Sequence, residues 1–228
     1  MPKWLIKLKG DSGDLEFLSE YLQSPEQNVL EDNGSYYLHS SEFDSLNTPN
    51  EVYERGKALV ELVNFSANLY LNDFQDIAED GVALFEDNGE RRHYTFLEVT
   101  FRTHTRARAK ITIIKPDGTE LIIEHPINYC FQVAQRDTSV LNALRDFGKG
   151  TWVNLYMVYE VIRDDVGGYN NIINNGLATE SELKHFKRTA QCHRHARAKY
   201  TPPSNPMALS DAQSFIKDML RVWIRSKE

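Results

Sequence analysis

The sequence predicts an α+β chain: an N-terminal mixed domain over residues 1–130, with two helices on a largely antiparallel sheet, then an all-helical bundle over 137–228. Three observations carry this. From 81 to 125 apolar residues alternate with period two, around turn-forming Asp-Asn-Gly and Pro-Asp-Gly triplets. Beyond Asp137 they recur at helical spacing. Charge divides at the same place: residues 1–135 hold 12 Lys+Arg against 23 Asp+Glu, net −11, and residues 136–228 hold 14 against 10, net +4. With 41% hydrophobic and 26% charged residues the composition is that of a folded chain, which excludes disorder over most of its length.

"KWLIKLK" (3–9) is a short strand, and "GDLEFLSEYLQS" (13–24) a helix with Leu15, Leu18, Tyr21 and Leu22 on one stripe. "NVLE" and "SYYLHS" flank Asp32-Asn33-Gly34, whose Asn and Gly tolerate positive φ, so a hairpin is expected. Residues 48–71 open with Thr48 as N-cap, Pro49 at the first helical position and Glu51 reaching back, and bury Leu59, Val60, Val63 and Ala67. Turns at Asp87-Asn88-Gly89 and Pro116-Asp117-Gly118 then separate strands. Between them Leu97, Val99, Phe101, Ile111 and Ile113 fall on odd positions and Arg102, His104, Arg106, Arg108 and Lys110 on even ones. One strand of that length would be exceptional, so a turn or bulge is expected near 103–105. No aromatic residues alternate with the basic ones, which therefore read as a solvated or edge-protecting face.

In the second part "TSVLNALRDFG" stops at Gly148, and the next helix aligns Trp152, Leu155, Tyr156, Tyr159 and Ile162 before Gly167-Gly168. The polar piece "YNNIINNG" leads to a capping box of Thr179 and Glu182. After the stiff "TPPSNP", Ser210 and Gln213 start a last helix with Ala212, Phe215, Ile216, Met219, Trp223 and Ile224 on its apolar stripe. Four or five helices are expected in all.

No apolar run approaches the roughly 20 residues of a membrane span, so a cytoplasmic protein without a membrane partner is expected. Cys130 and Cys192 are far apart and read as reduced thiols. The chain has no Gly-rich phosphate loop, serine-nucleophile motif or cysteine redox pair, and no cofactor is expected. Adjacent Asp164 and Asp165 diverge by about 100° on a helix and read as solvating its end. Trp152, Tyr156 and Tyr159 read as core.

The densest chemistry lies in "KHFKRTAQCHRHARAKY" (184–200), with three His, three Arg, three Lys and one Cys. His185, Cys192, His193 and His195 match no zinc spacing and stand among cations, so no metal is expected. Arg188, His193 and His195 are the candidate catalytic set: His titrates near neutrality and moves protons, and Arg holds a phosphate. Arg194, Arg197 and Lys199 are the candidate phosphate- or partner-binding set. On a straight helix Arg188 and His193 diverge by about 140°, whereas Arg188 and His195 share a direction but lie about 10 Å apart along the axis. Joint action on one phosphate therefore requires a helix break near Gln191 or a second subunit. On the same wheel Leu183, Phe186 and Ala190 continue into His193, which would then end the buried face.

The spacings from Arg188 to His193 and to His195 resemble the Arg-x(4–6)-His motif of HEPN domains, helical modules that often act as metal-independent ribonucleases when dimeric. With 14 arginines and seven histidines, about one such spacing arises by chance, and Thr189 follows Arg188 where that family usually has Asn, Asp or His. Taken whole, the chain resembles a group of uncharacterised bacterial two-part proteins. "WLIKLKGDSGDLEFL", "WVNLYMVYEVIRDDVGG", "ELKHFKRTA", "RHARAKYTPP" and "NPMALSDAQSFIKDMLRVWI" carry this likeness. It implies the two-part layout and draws attention to Arg194-His195 before the Pro-rich stretch. Two functions follow as expectations: a sensing or interaction protein without catalytic machinery, or an RNA binder or ribonuclease, as a homodimer, acting through 188–197.

Overall fold

The computed structural model describes residues 3–96, 125–194 and 203–227 and divides the chain into two compact units, residues 1–129 and 130–228.

In the first unit β1 (Lys3–Lys9) is followed by α1 (Ser12–Tyr21), β2 (Gln27–Asp32), β3 (Ser35–Ser40), a 3₁₀ turn (Ser41–Ser45), α2 (Pro49–Tyr70), β4 (Ala78–Phe85) and β5 (Arg91–Tyr94). The sheet is antiparallel in the order β2-β3-β1-β4-β5. Its first four strands with α1 and α2 make the split β-α-β-β-α-β topology known as ferredoxin-like, and β5 extends one edge. That topology hosts many unrelated functions and assigns none.

Local chemistry accounts for these elements. The β2–β3 connection is the two-residue turn Asn33-Gly34, both with positive φ (51° and 76°), the conformation that matches strand twist. Asp11 caps α1 by accepting from the backbone N–H groups of Gly13 and Asp14. α2 carries the expected capping box, with Pro49 in the first turn. Ile6, Leu38 and Val82 lie in register across three strands and are buried, and Gly56 of α2 packs directly against Ile6. On the opposite side Leu5, Tyr37 and Ala83 form a smaller cluster covered by Phe85. The alternating stretch from 97 to 113, with its basic stripe Arg102–Lys110, and the turn at 116–118 lie outside the described residues.

The helical part comprises α3 (Pro126–Arg136), whose first turn belongs to the first unit, then α4 (Thr138–Lys149), α5 (Trp152–Asp165), α6 (Tyr169–Asn174), α7 (Glu180–Arg194) and α8 (Leu209–Arg225). These are six helices among the described residues, where four or five are expected; α3 and α6 make the difference. Gly148 sits inside α4, and the left-handed residue that ends it is Gly150, φ 63°. The N-cap of α8 is Ala208, and Gln213 donates to the Gly150 carbonyl (3.1 Å) instead of closing a box with Ser210. Leu155, Tyr159, Ile162, Phe186, Ile216, Met219 and Trp223 form the core of this unit. No helix among the described residues is long and apolar enough to cross a membrane.

Candidate functional site

α7 begins with the reciprocal box: the Thr179 hydroxyl accepts from the Glu182 N–H (3.3 Å), and the Glu182 carboxylate accepts from the Thr179 N–H (3.2 Å). Leu183, Phe186 and Ala190 are fully buried, which fixes the rotation of the helix. Two polar bonds tie it to the connector before α8. The His185 Nε2 donates to the Asn205 carbonyl (2.7 Å), and the buried Thr189 hydroxyl accepts from the Met207 N–H (3.1 Å).

α7 is continuous through Arg194, so the break near Gln191 that would bring Arg188 to His193 is absent. The two side chains leave the helix about 140° apart. Arg188 is exposed, and its carbonyl accepts the Cys192 thiol (3.3 Å). His193 does not continue the buried face. It is exposed and lays its ring flat on Trp152 of α5, centroids 4.8 Å apart and planes within 1°. The reason is lateral: at the end of α7 the neighbouring surface is the half-buried Trp152 indole, which offers a flat apolar platform rather than an enclosed pocket.

Arg194 is held on α5 as well. Its Nη1 donates to Glu160 Oε1 (3.1 Å), and its guanidinium lies 4.7 Å from the Tyr156 ring centroid. Stacking and ion pairing thus engage His193 and Arg194 on α5, while Arg188 stands on another side. His195, Arg197 and Lys199 lie outside the described residues. Among the described residues no group of three His, Cys, Asp or Glu is placed to hold a metal ion.

Asp165 does not merely solvate the end of α5. It accepts from Trp223 Nε1 (2.8 Å) and Lys227 Nζ (2.8 Å), and Lys227 also reaches Asp137 (2.9 Å), the N-cap of α4. Burial alone raises Asp137, but hydrogen bonds from Lys227 and from the N–H groups of Val140 and Ser139 outweigh it and hold the carboxyl below its ordinary range. For Lys227 burial lowers the ammonium, and Asp165 and Asp137 together raise it above its usual value.

One arrangement lies beyond sequence reasoning. The Tyr169 hydroxyl on α6 is buried without a hydrogen-bond partner, Lys187 of α7 lies over the rings of Tyr169 and of Tyr159 on α5, and burial raises the Tyr159 phenol against a hydrogen bond from Arg163. Tyr159 carries the expected signature of core, and Tyr169 falls in a polar piece with no period; only Lys187, inside the cationic run, carries a signal. No protein-family model, curated protein or solved structure matches this chain.

Proposed function

We propose that the chain is a cytoplasmic, non-catalytic interaction protein whose acidic first part and basic helical part meet different partners. The observation that carries this reading is the divergence on α7. Cleavage of RNA by its own 2′-hydroxyl requires a proton-transfer group and a fixed cation at one phosphate. Here His193 is engaged with Trp152 and Arg194 with Glu160, and Arg188 faces away from both. The same residues suit binding. Val153 and Met157, 44% and 41% exposed and one turn apart on α5, border the Glu160–Arg194 pair and give an apolar strip beside a cation. Such a strip fits an acidic protein segment with apolar anchors.

The test is incubation of the purified protein with mixed RNA, with and without EDTA, beside the double variant Arg188→Ala/His195→Ala. The reading predicts that RNA survives equally in both. Metal-independent cleavage by the natural chain that disappears in the double variant would overturn it and assign a ribonuclease, with the missing group supplied across a homodimer.

A further inference from the structure

We propose that His125 is a pH-sensitive latch: neutral, it caps α3 and holds the first turn of that helix on α1, and its protonation releases the turn. The latch lies within the first unit, where the chain passes into the second, since α3 begins at Pro126 and the unit ends at Tyr129.

The geometry is that of a helix N-cap made by an imidazole. Pro126 takes the first helical position, where a missing N–H is no loss. The Ile127 N–H donates to the His125 Nδ1 (3.3 Å), and the Asn128 N–H to the His125 carbonyl (3.0 Å). Nδ1 accepts only while it carries no proton, so this bond selects the neutral ring protonated at Nε2. The ring itself is packed on α1. Its centroid lies 5.2 Å from that of Phe17, edge to face at 87°, and 5.3 Å from that of Tyr21; Phe17 and Tyr21 stack on each other at 4.4 Å. The same turn is tied down once more, because the buried Asn128 donates its Nδ2 to the Gln23 carbonyl (2.7 Å) just beyond α1.

Protonation acts against this arrangement in three ways. It turns Nδ1 from acceptor into donor, which strips the fully buried Ile127 of its N–H acceptor. It places a full positive charge at a helix N-terminus, the end that favours anions. It also charges a ring that is half removed from water. The faces of Phe17 and Tyr21 attract the cation and offset only part of this. Burial accordingly lowers His125 from the ordinary 6.5.

Tyr21 is the titratable group of α1 in ring contact with His125, and Glu16 and Glu20, next to that stripe, are exposed. α3 has no carboxylate; its titratable groups are Tyr129, Cys130 and Arg136. Glu124, the preceding residue, lies outside the described residues. No charged group among the described residues contributes to the shift. Because the folded chain takes up this proton less readily than an exposed histidine does, the latch holds in full above pH 6.5 and is lost as pH falls through the lowered value.

The latch is independent of the reading of α7. The experiment follows the full chain by nuclear magnetic resonance from pH 8 downward, recording the His125 ring signals and amide hydrogen exchange corrected for its intrinsic pH dependence. The ring is expected to titrate below 6.5. Protection of Ile127 and Asn128 is expected to fall on the order of tenfold through the same midpoint, the scale of losing one N-cap, while the strand amides of Ile6 and Leu38 keep theirs. His125→Asn supplies a capping side chain that does not titrate, and is expected to retain the protection and remove its fall. Should that variant fail to fold, Tyr21→Leu, which uncovers the imidazole, takes its place and is expected to move the midpoint back toward 6.5. A midpoint at or above 6.5, protection that stays level across it, or a fall shared equally by Ile6 and Leu38 would overturn the proposal.

Discussion

Trp223→Ala is expected to lower the stability of the helical unit by about 3–5 kcal/mol, the usual range for deleting a large buried aromatic side chain. Trp223 heads the fully buried side chains by volume, and its loss would open a cavity among α4, α5 and α8. The polar consequence adds to the apolar one. Asp165 would lose its bond from the indole N–H, and Lys227, 4.9 Å from the indole centroid, would lose the ring it packs on. Trp223→Phe keeps most of the apolar surface and removes the N–H, so it should cost only about 1–2 kcal/mol. Urea unfolding followed by far-ultraviolet circular dichroism measures both. A Trp223→Ala variant within about 1 kcal/mol of the natural chain would contradict the packing described for this unit.

Gly81→Ala is expected to cost the first unit about 3 kcal/mol through two separable effects. The register of β4 on β1 shifts between Ile6↔Val82 and Leu8↔Glu79, which marks a bulge with one additional residue on β4. Gly81 lies in that bulge with φ 111°, a conformation costly to any side chain, and a Cβ there would stand 2.4 Å from the Tyr94 carbonyl oxygen. A backbone atom held in a strand cannot move aside as a side-chain end can. Gly34→Ala provides the comparison: φ is 76°, but a Cβ meets nothing within 4 Å, so only the conformational cost of about 1 kcal/mol remains. Equal unfolding free energies for the two variants would show that β5 does not press on the bulge.

The elements that could be read from sequence are those governed by local chemistry. Asn33-Gly34, Thr48-Pro49-Glu51 and Thr179-Glu182 each act within four residues, and each forms the turn or cap that its side chains dictate. What escaped is decided by tertiary contact. α3 is the exception: Pro126 opens it, and Ile127, Cys130, Phe131 and Ala134, all buried, recur at i, i+3, i+4 and i+7, so its helical period is present in the sequence. Gly148 and Gly150 look alike as helix stops, and only Gly150 adopts the left-handed conformation. Gln213 forgoes a cap because the Gly150 carbonyl is within its reach, and Asp165, exposed as expected, also accepts from Trp223 and Lys227.

The candidate site follows the same division. Its helix, capping box and buried face are legible, because periodicity sets them. The placement of His193 on Trp152 and of Arg194 on Glu160 and Tyr156 is not, because it depends on how α5 lies against α7. Tyr159 is correctly core by its spacing, yet spacing says nothing of whether its hydroxyl finds a partner.

The most direct test of the account follows the His193 ring protons by nuclear magnetic resonance as a short single-stranded RNA oligonucleotide is added. The indole of Trp152, 4.8 Å away and parallel, should shift those signals, and Trp152→Leu should move them toward the values of an exposed histidine. With Trp152 in place, the account predicts that RNA leaves them where they are and that Arg188→Ala changes nothing. RNA-dependent movement of the His193 signals that Arg188→Ala abolishes would place both side chains on one phosphate and contradict it.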